Sequence, residues 1–241
     1  MQDRREEYED QEKYITDLER GKKMLQKWIE TWAEFDEVNY EVLGIEETYE
    51  IPFGPEDAKM LFTVRLDRVY KDKQTGNVYV VESKTTGWSV MKMFENTARG
   101  DQITAQIWAL SKAHPEWNCN SAIIDVLYNR GRVFQCERPG PSVYRTKSSL
   151  KIFELGMWST IVEITQKVKA LQAGTPWPLL FPPHKNYCRL FGCSYDTLCD
   201  SNIQPGETCP GFRRDEWVSD EVLKRLQKVQ NWSLDDWELR R

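Results

Sequence analysis

An α/β fold, a mixed sheet flanked by helices, is what this 241-residue sequence predicts. Three observations carry it. Stretches with helical apolar spacing alternate along the chain with short runs of strand formers. Two of those runs flank one polar turn, as a hairpin requires. A further run, residues 121–128 (SAIIDVLY), is almost wholly apolar, as a buried strand is.

The first helix, residues 10–34, carries Tyr14, Ile15, Leu18, Met24, Leu25, Trp28, Ile29 and Trp32 as an approximate apolar stripe, interrupted at Gly21. A β segment, 40–51, follows it. Residues 59–70 and 77–84 are rich in Val and Tyr, and the turn Lys71-Asp72-Lys73-Gln74-Thr75-Gly76 joins them. A helix over 102–113 stops at His114-Pro115, because proline disfavours helical geometry in the residue before it. After strand 121–128, a long helix over 148–172 starts on a serine cap and ends before Gly174. From Thr175 onward the texture becomes Pro- and Cys-rich, and a last helix, 220–229, is expected behind Ser219. The expected organisation is a core, 1–174, with a Cys-rich metal- or cluster-binding segment, 175–241, packed on it.

A composition of 40% hydrophobic and 29% charged residues excludes a disordered or fibrous chain. No run approaches the roughly 20 apolar residues of a membrane span, and the N-terminus has no apolar stretch that would direct secretion. A cytoplasmic protein without membrane contact is expected, and in that compartment six cysteines favour metal or cluster ligation over disulfides. The net charge of −5 is unevenly spread: residues 1–50 hold 16 acidic and 7 basic side chains. Between 130 and 151, Arg130, Arg132, Arg138, Arg145, Lys147 and Lys151 stand against Glu137 alone. A local basic stripe of this kind suffices for phosphate contact, and a solvated basic face is the plainer alternative.

The hairpin concentrates the chemistry. Glu82 and Lys84 are two apart on a strand and project from one face. If the turn centres between Gln74 and Thr75, positions summing to 149 face each other, which sets Asp67 opposite Glu82 at roughly 5 Å. Opposed like charges destabilise a sheet, and a divalent cation offsets that cost. Hard carboxylate oxygens suit Mg²⁺ or Mn²⁺, and such an ion activates water at a phosphate. Lys84 supplies a cation beside it. The plainer alternative is a Glu82–Lys84 surface salt bridge with Asp67 solvated.

The stretch VRLDRVYKDKQTGNVYVVESKTT resembles the core of RecB-like nucleases of the PD-(D/E)XK superfamily, with their restriction-endonuclease-like fold. Asp67 and Glu82-Ser83-Lys84-Thr85 match the family pattern, while the glycine usual before the aspartate is absent. The resemblance implies that Asp67, Glu82 and the Ser83 backbone carbonyl hold Mg²⁺ or Mn²⁺, and that Lys84 assists the attacking water. It places Gln102 in the catalytic helix motif and Gln106 where tyrosine is usual. It makes Arg145, before the long helix, a phosphate contact, and Glu46 a supplementary metal ligand. DNA is the implied substrate, single-stranded or at duplex ends, and a recombination or helicase protein the implied partner.

Cys188-x4-Cys193-x5-Cys199, with Cys209 ten positions on, is the second signal. Thiols so clustered converge on one soft metal centre. The tail resembles that of iron–sulfur RecB-like nucleases, including CRISPR-associated exonucleases, in which a fourth cysteine lies near the N-terminus. No cysteine precedes Cys119 here, so either the chain is a shortened form or Cys209 completes the set. Four thiolates hold a [4Fe–4S] cluster or Zn²⁺, and the resemblance favours the cluster. Cys119 and Cys136 are expected as buried thiols. The expected activity is metal-dependent DNA hydrolysis, exonucleolytic by resemblance, in recombination, repair or phage DNA processing. The alternative is a decayed nuclease that serves as a DNA-binding or recombination-partner module.

Overall fold

The computed structural model describes residues 11–54, 60–140, 142–175 and 177–180. Cys188, Cys193, Cys199 and Cys209, with the helix expected at 220–229, lie outside the described residues. In chain order the elements are α1 (Gln11–Trp28), a π-helical turn (Ile29–Ala33), α2 (Glu34–Asn39), β1 (Tyr40–Phe53), β2 (Met60–Asp72) and β3 (Val78–Thr86). There follow α3 (Val90–Arg99), α4 (Asp101–Ala113), a 3₁₀ turn (Pro115–Trp117), β4 (Ser121–Arg130), β5 (Val133–Glu137), β6 (Val143–Tyr144), α5 (Lys147–Gln172) and α6 (Trp177–Leu180).

The chain forms two compact units, Met1–Ile51 with Leu61–Phe153, and Pro52–Met60 with Glu154–Arg241. The division falls inside α5, upstream of the change in sequence texture at Gly174. In the second unit Phe53 meets Trp158 edge-on at 6.3 Å, and Trp158, Val162 and Thr165 form a buried stripe along α5.

The first unit holds the candidate residues Asp67, Glu82, Ser83 and Lys84. Its mixed sheet runs β1-β2-β3-β4-β5, with β6 also beside β4. β2 and β3 are the expected hairpin, and their register is the expected one: Arg68 faces Val81, Val69 faces Val80 and Tyr70 faces Tyr79. The turn fixes it. Asp72 Oδ1 accepts the N–H groups of Gln74 and Thr75 at 2.9 and 2.7 Å, and Gly76 takes φ +74°, which a residue with a Cβ rarely adopts. β3 and β4 are parallel, so the chain must cross over between them, and α3 and α4 make that crossing.

Alternation along the strands gives each face its helix. Val80 on β3, with Ala122, Ile124 and Val126 on β4, packs with Ile103, Ile107 and Leu110 of α4; each such side chain contributes about 1.5–3 kcal/mol. Asp125 and Ser83 lie on the opposite face, where α1 delivers Trp28. Among the described residues no helix is long and apolar enough to cross a membrane.

Three local features differ from the sequence expectation. The long helix is capped by Thr146, whose Oγ1 accepts the Ser149 N–H at 3.0 Å, rather than by a serine. Helix α3 was not anticipated, although Val90, Met93, Phe94 and Ala98 have helical spacing and pack on the core. Strand β5 returns from β4 through the two-residue loop Gly131-Arg132, with Gly131 at φ +62°.

Candidate active site

Leu66 and Val69 are three apart on β2 yet belong to one core. Both intervening side chains reach Ser83 of β3. Asp67 Oδ2 accepts the Ser83 N–H at 2.9 Å, and Arg68 Nη2 donates to Ser83 Oγ at 2.7 Å. The pairing of the two strands runs as far as Arg68 and Val81, one step short of the expected Asp67–Glu82 pair. At the next step a carboxylate takes over the peptide that links Glu82 to Ser83.

Glu82 is 3% exposed. A carboxylate so buried is tolerable only when its oxygens are satisfied, and α4 provides the donors. Gln102 and Gln106 stand one turn apart on the helix and reach the same spot. Gln102 Nε2 donates to Glu82 Oε1 at 2.7 Å, and Gln106 Nε2 donates to Oε2 at 2.6 Å. Lys84 Nζ sits 2.5 Å from Glu82 Oε1 and donates to Gln102 Oε1 at 2.8 Å. Glu82, Lys84, Gln102 and Gln106 are thus joined in one hydrogen-bonded cluster, and Asp67 meets the strand beside it through the Ser83 N–H.

Gln106, 1% exposed, spends its donor on Glu82, and its Oε1 is buried with no hydrogen-bond partner. That orphaned acceptor beside a buried carboxylate fits a hydrated cation. The donor set also fits: Mg²⁺ and Mn²⁺ are held by one or two carboxylates, with water and phosphate completing the shell. Among the described residues no group of three or more His, Cys, Asp or Glu is placed to hold a metal ion; the donors expected from the sequence are the two carboxylates of Asp67 and Glu82 with the Ser83 carbonyl.

Arg145 and Glu46 are placed elsewhere. The Arg145 guanidinium turns inward: Nε donates to Thr104 Oγ1 at 2.9 Å, Nη1 to the Tyr144 carbonyl at 3.2 Å, and Nη2 to the Ala98 carbonyl. It ties the C-terminal end of α3 to α4, and burial lowers its pKa against the pull of Asp101. Glu46 is exposed, has φ +53°, and pairs with Arg65 at 3.1 Å. Of the basic stripe, Arg130, Arg132 and Lys147 are exposed. Cys119 and Cys136 are buried free thiols, as expected, and burial pushes each up to about 11.

Sequence reasoning missed what stands behind the site. Asp125 is fully buried on β4, aligned with Ser83. It accepts from Arg68 Nη2 at 2.6 Å, Arg138 Nε at 2.5 Å and Trp28 Nε1 at 3.0 Å. Arg138 also makes a two-pronged pair with Asp36, at 2.5 and 2.6 Å, and Tyr70 donates to Asp36 at 3.1 Å. The two guanidiniums lie over Trp28 and Trp32, at 4.9 and 4.3 Å from the ring centroids. Burial pushes the Asp125 carboxyl up, but Arg138 and then Arg68 outweigh it and hold it below the usual carboxylate range. Two acids and Arg138 thus fix Arg68, and through it Ser83. The signal was visible in the sequence as one acid within an apolar strand.

No protein-family model matches the chain, and no curated protein matches it significantly.

Proposed function

We propose that this chain is a divalent-metal-dependent deoxyribonuclease of the PD-(D/E)XK type, RecB-like, that hydrolyses DNA phosphodiester bonds exonucleolytically. One observation carries the proposal. The Glu82 carboxylate is buried between two amide donors and an ammonium, one residue from the peptide that Asp67 grips. A bare salt bridge does not need such an arrangement. A carboxylate that must keep its geometry while its charge partner changes does.

Asp67, Glu82 and the Ser83 carbonyl would hold Mg²⁺ or Mn²⁺, which supplies polarisation of the scissile phosphate and a water of lowered pKa. The chain's own groups then have distinct tasks. Gln102 and Gln106 hold both Glu82 oxygens, so that the carboxylate does not rotate when its neighbour changes. Lys84 neutralises Glu82 and, through Gln102 Oε1, keeps its ammonium beside the carboxylate. With the phosphate present, that ammonium offsets charge developing on the phosphoryl oxygens or orients the nucleophile. The exposed Arg130, Arg132 and Lys147 are available for sequence-independent contact with the DNA backbone. The cysteine set Cys188, Cys193, Cys199 and Cys209, binding [4Fe–4S] or Zn²⁺, belongs to the proposal on spacing and resemblance alone.

The test is incubation of purified protein with end-labelled single-stranded and duplex DNA, with Mg²⁺, Mn²⁺ or EDTA. Metal-dependent degradation that Glu82→Ala and Lys84→Ala each abolish supports the proposal. Salt-dependent DNA binding with no cleavage under either metal would replace it with a decayed, DNA-holding module.

A further inference from the structure

We infer that Gln106 is an outer-sphere positioning residue for the divalent ion, and that its side-chain carbonyl accepts a hydrogen bond from a metal-bound water. This rests on the proposed metal centre and adds to it a specific role for one atom.

The amide orientation is set by its neighbour. Gln106 Nε2 lies 2.6 Å from Glu82 Oε2; turned over, the amide would set two acceptor oxygens against each other at that distance. Oε1 therefore points away from the carboxylate, and it does so in a buried place with no donor in reach. Buried acceptors in a folded protein are almost always paired. A leucine here would fit the apolar stripe of α4, where Ile103, Ile107 and Leu110 are all buried. An amide at this position is needed only if both its ends are used.

A water bound to a cation is polarised by the metal and is a strong donor. It is therefore the complement of an orphaned carbonyl. The neighbouring donors point elsewhere: Lys84 Nζ to Glu82 and Gln102, and Gln102 Nε2 to Glu82, so that none reaches Gln106 Oε1. Gln106 thus bridges ligand and hydration shell, its amide nitrogen holding Glu82 and its oxygen holding the water.

The experiment is Mn²⁺ binding to the full chain without DNA, followed by electron paramagnetic resonance, for wild type, Glu82→Ala, Gln106→Met and Gln106→Glu. Melting temperatures in EDTA and in Mn²⁺ are taken alongside. Methionine keeps the volume and loses both hydrogen bonds, whereas glutamate keeps an acceptor and loses the donor. If the acceptor matters, Gln106→Met weakens Mn²⁺ binding by about 10–100-fold. Gln106→Glu then binds at least as tightly as wild type and gains more thermal stability from Mn²⁺. If Gln106 serves only to donate to Glu82, the order reverses, because a second acid beside Glu82 is the worse change. That reversal, or a Gln106→Met affinity within twofold of wild type, overturns the inference while Glu82→Ala still shows that the centre binds metal. Absence of Mn²⁺ binding in wild type sinks the inference together with the centre itself.

Discussion

Replacing Arg138 by methionine isolates the buried ion network behind the strand that carries Glu82. The guanidinium contacts both oxygens of Asp36 and both of Asp125, and lies over the Trp32 ring. Its side chain is 10% exposed, and those of Asp36 and Asp125 are 7% and 0%. Methionine fills much of the volume but leaves Asp125 to Arg68 and Asp36 to the Tyr70 hydroxyl. Removing one partner of a buried pair costs about 3–5 kcal/mol, which for a chain of this size lowers the melting temperature by roughly 6–20 °C. The pH dependence has a definite sign. The folded Asp125 carboxyl sits below its ordinary value, so its stabilising contribution is present above about pH 3.9 and is lost as pH falls through the folded pKa. The difference between wild type and Arg138→Met is therefore full at pH 7 and shrinks in acid. Urea denaturation at a series of pH values measures it. A loss under about 1 kcal/mol at pH 7, the size of an exposed pair, would refute the assignment of this quartet as the brace of the site.

Two further outcomes follow from the geometry. Gln102→Leu removes both the donor to Glu82 Oε1 and the acceptor for Lys84 Nζ; it lowers metal-dependent cleavage by about 10–100-fold while leaving the melting temperature nearly unchanged, measured by single-turnover assay and thermal scan. Cys119 and Cys136, raised to about 11 by burial, resist iodoacetamide at pH 8 in the folded protein and react once urea is added, as read by peptide mass spectrometry.

The hairpin was legible because its turn chemistry and its register are both local. A six-residue polar turn leaves one pairing that keeps Val80 and Val69 on the core face, and the structure adopts it. Gln102 and Gln106 were singled out by the resemblance; one helical turn between them is why both amides reach Glu82. What was hidden is non-local. Asp125 obeys the rule that singled out Glu82, a charge within an apolar strand, but its partners come from α1, β2 and the segment after β5. No spacing announces a contact between residues 36 and 138. Arg145 is expected as a phosphate contact from its place before the long helix, and its guanidinium donates to the carbonyl of Ala98 near the α3 terminus.

The most direct test of the proposed centre is the hydrolysis rate of a labelled oligonucleotide by wild type and Glu82→Gln in Mn²⁺, with folding checked by melting in EDTA. Glutamine keeps the shape of the side chain between Gln102 and Gln106, removes its charge and replaces one of its acceptor oxygens by a donor. A rate that falls by about 100-fold or more with the fold intact is the expected result. Equal rates for the two proteins would mean that this carboxylate is not where the chemistry occurs.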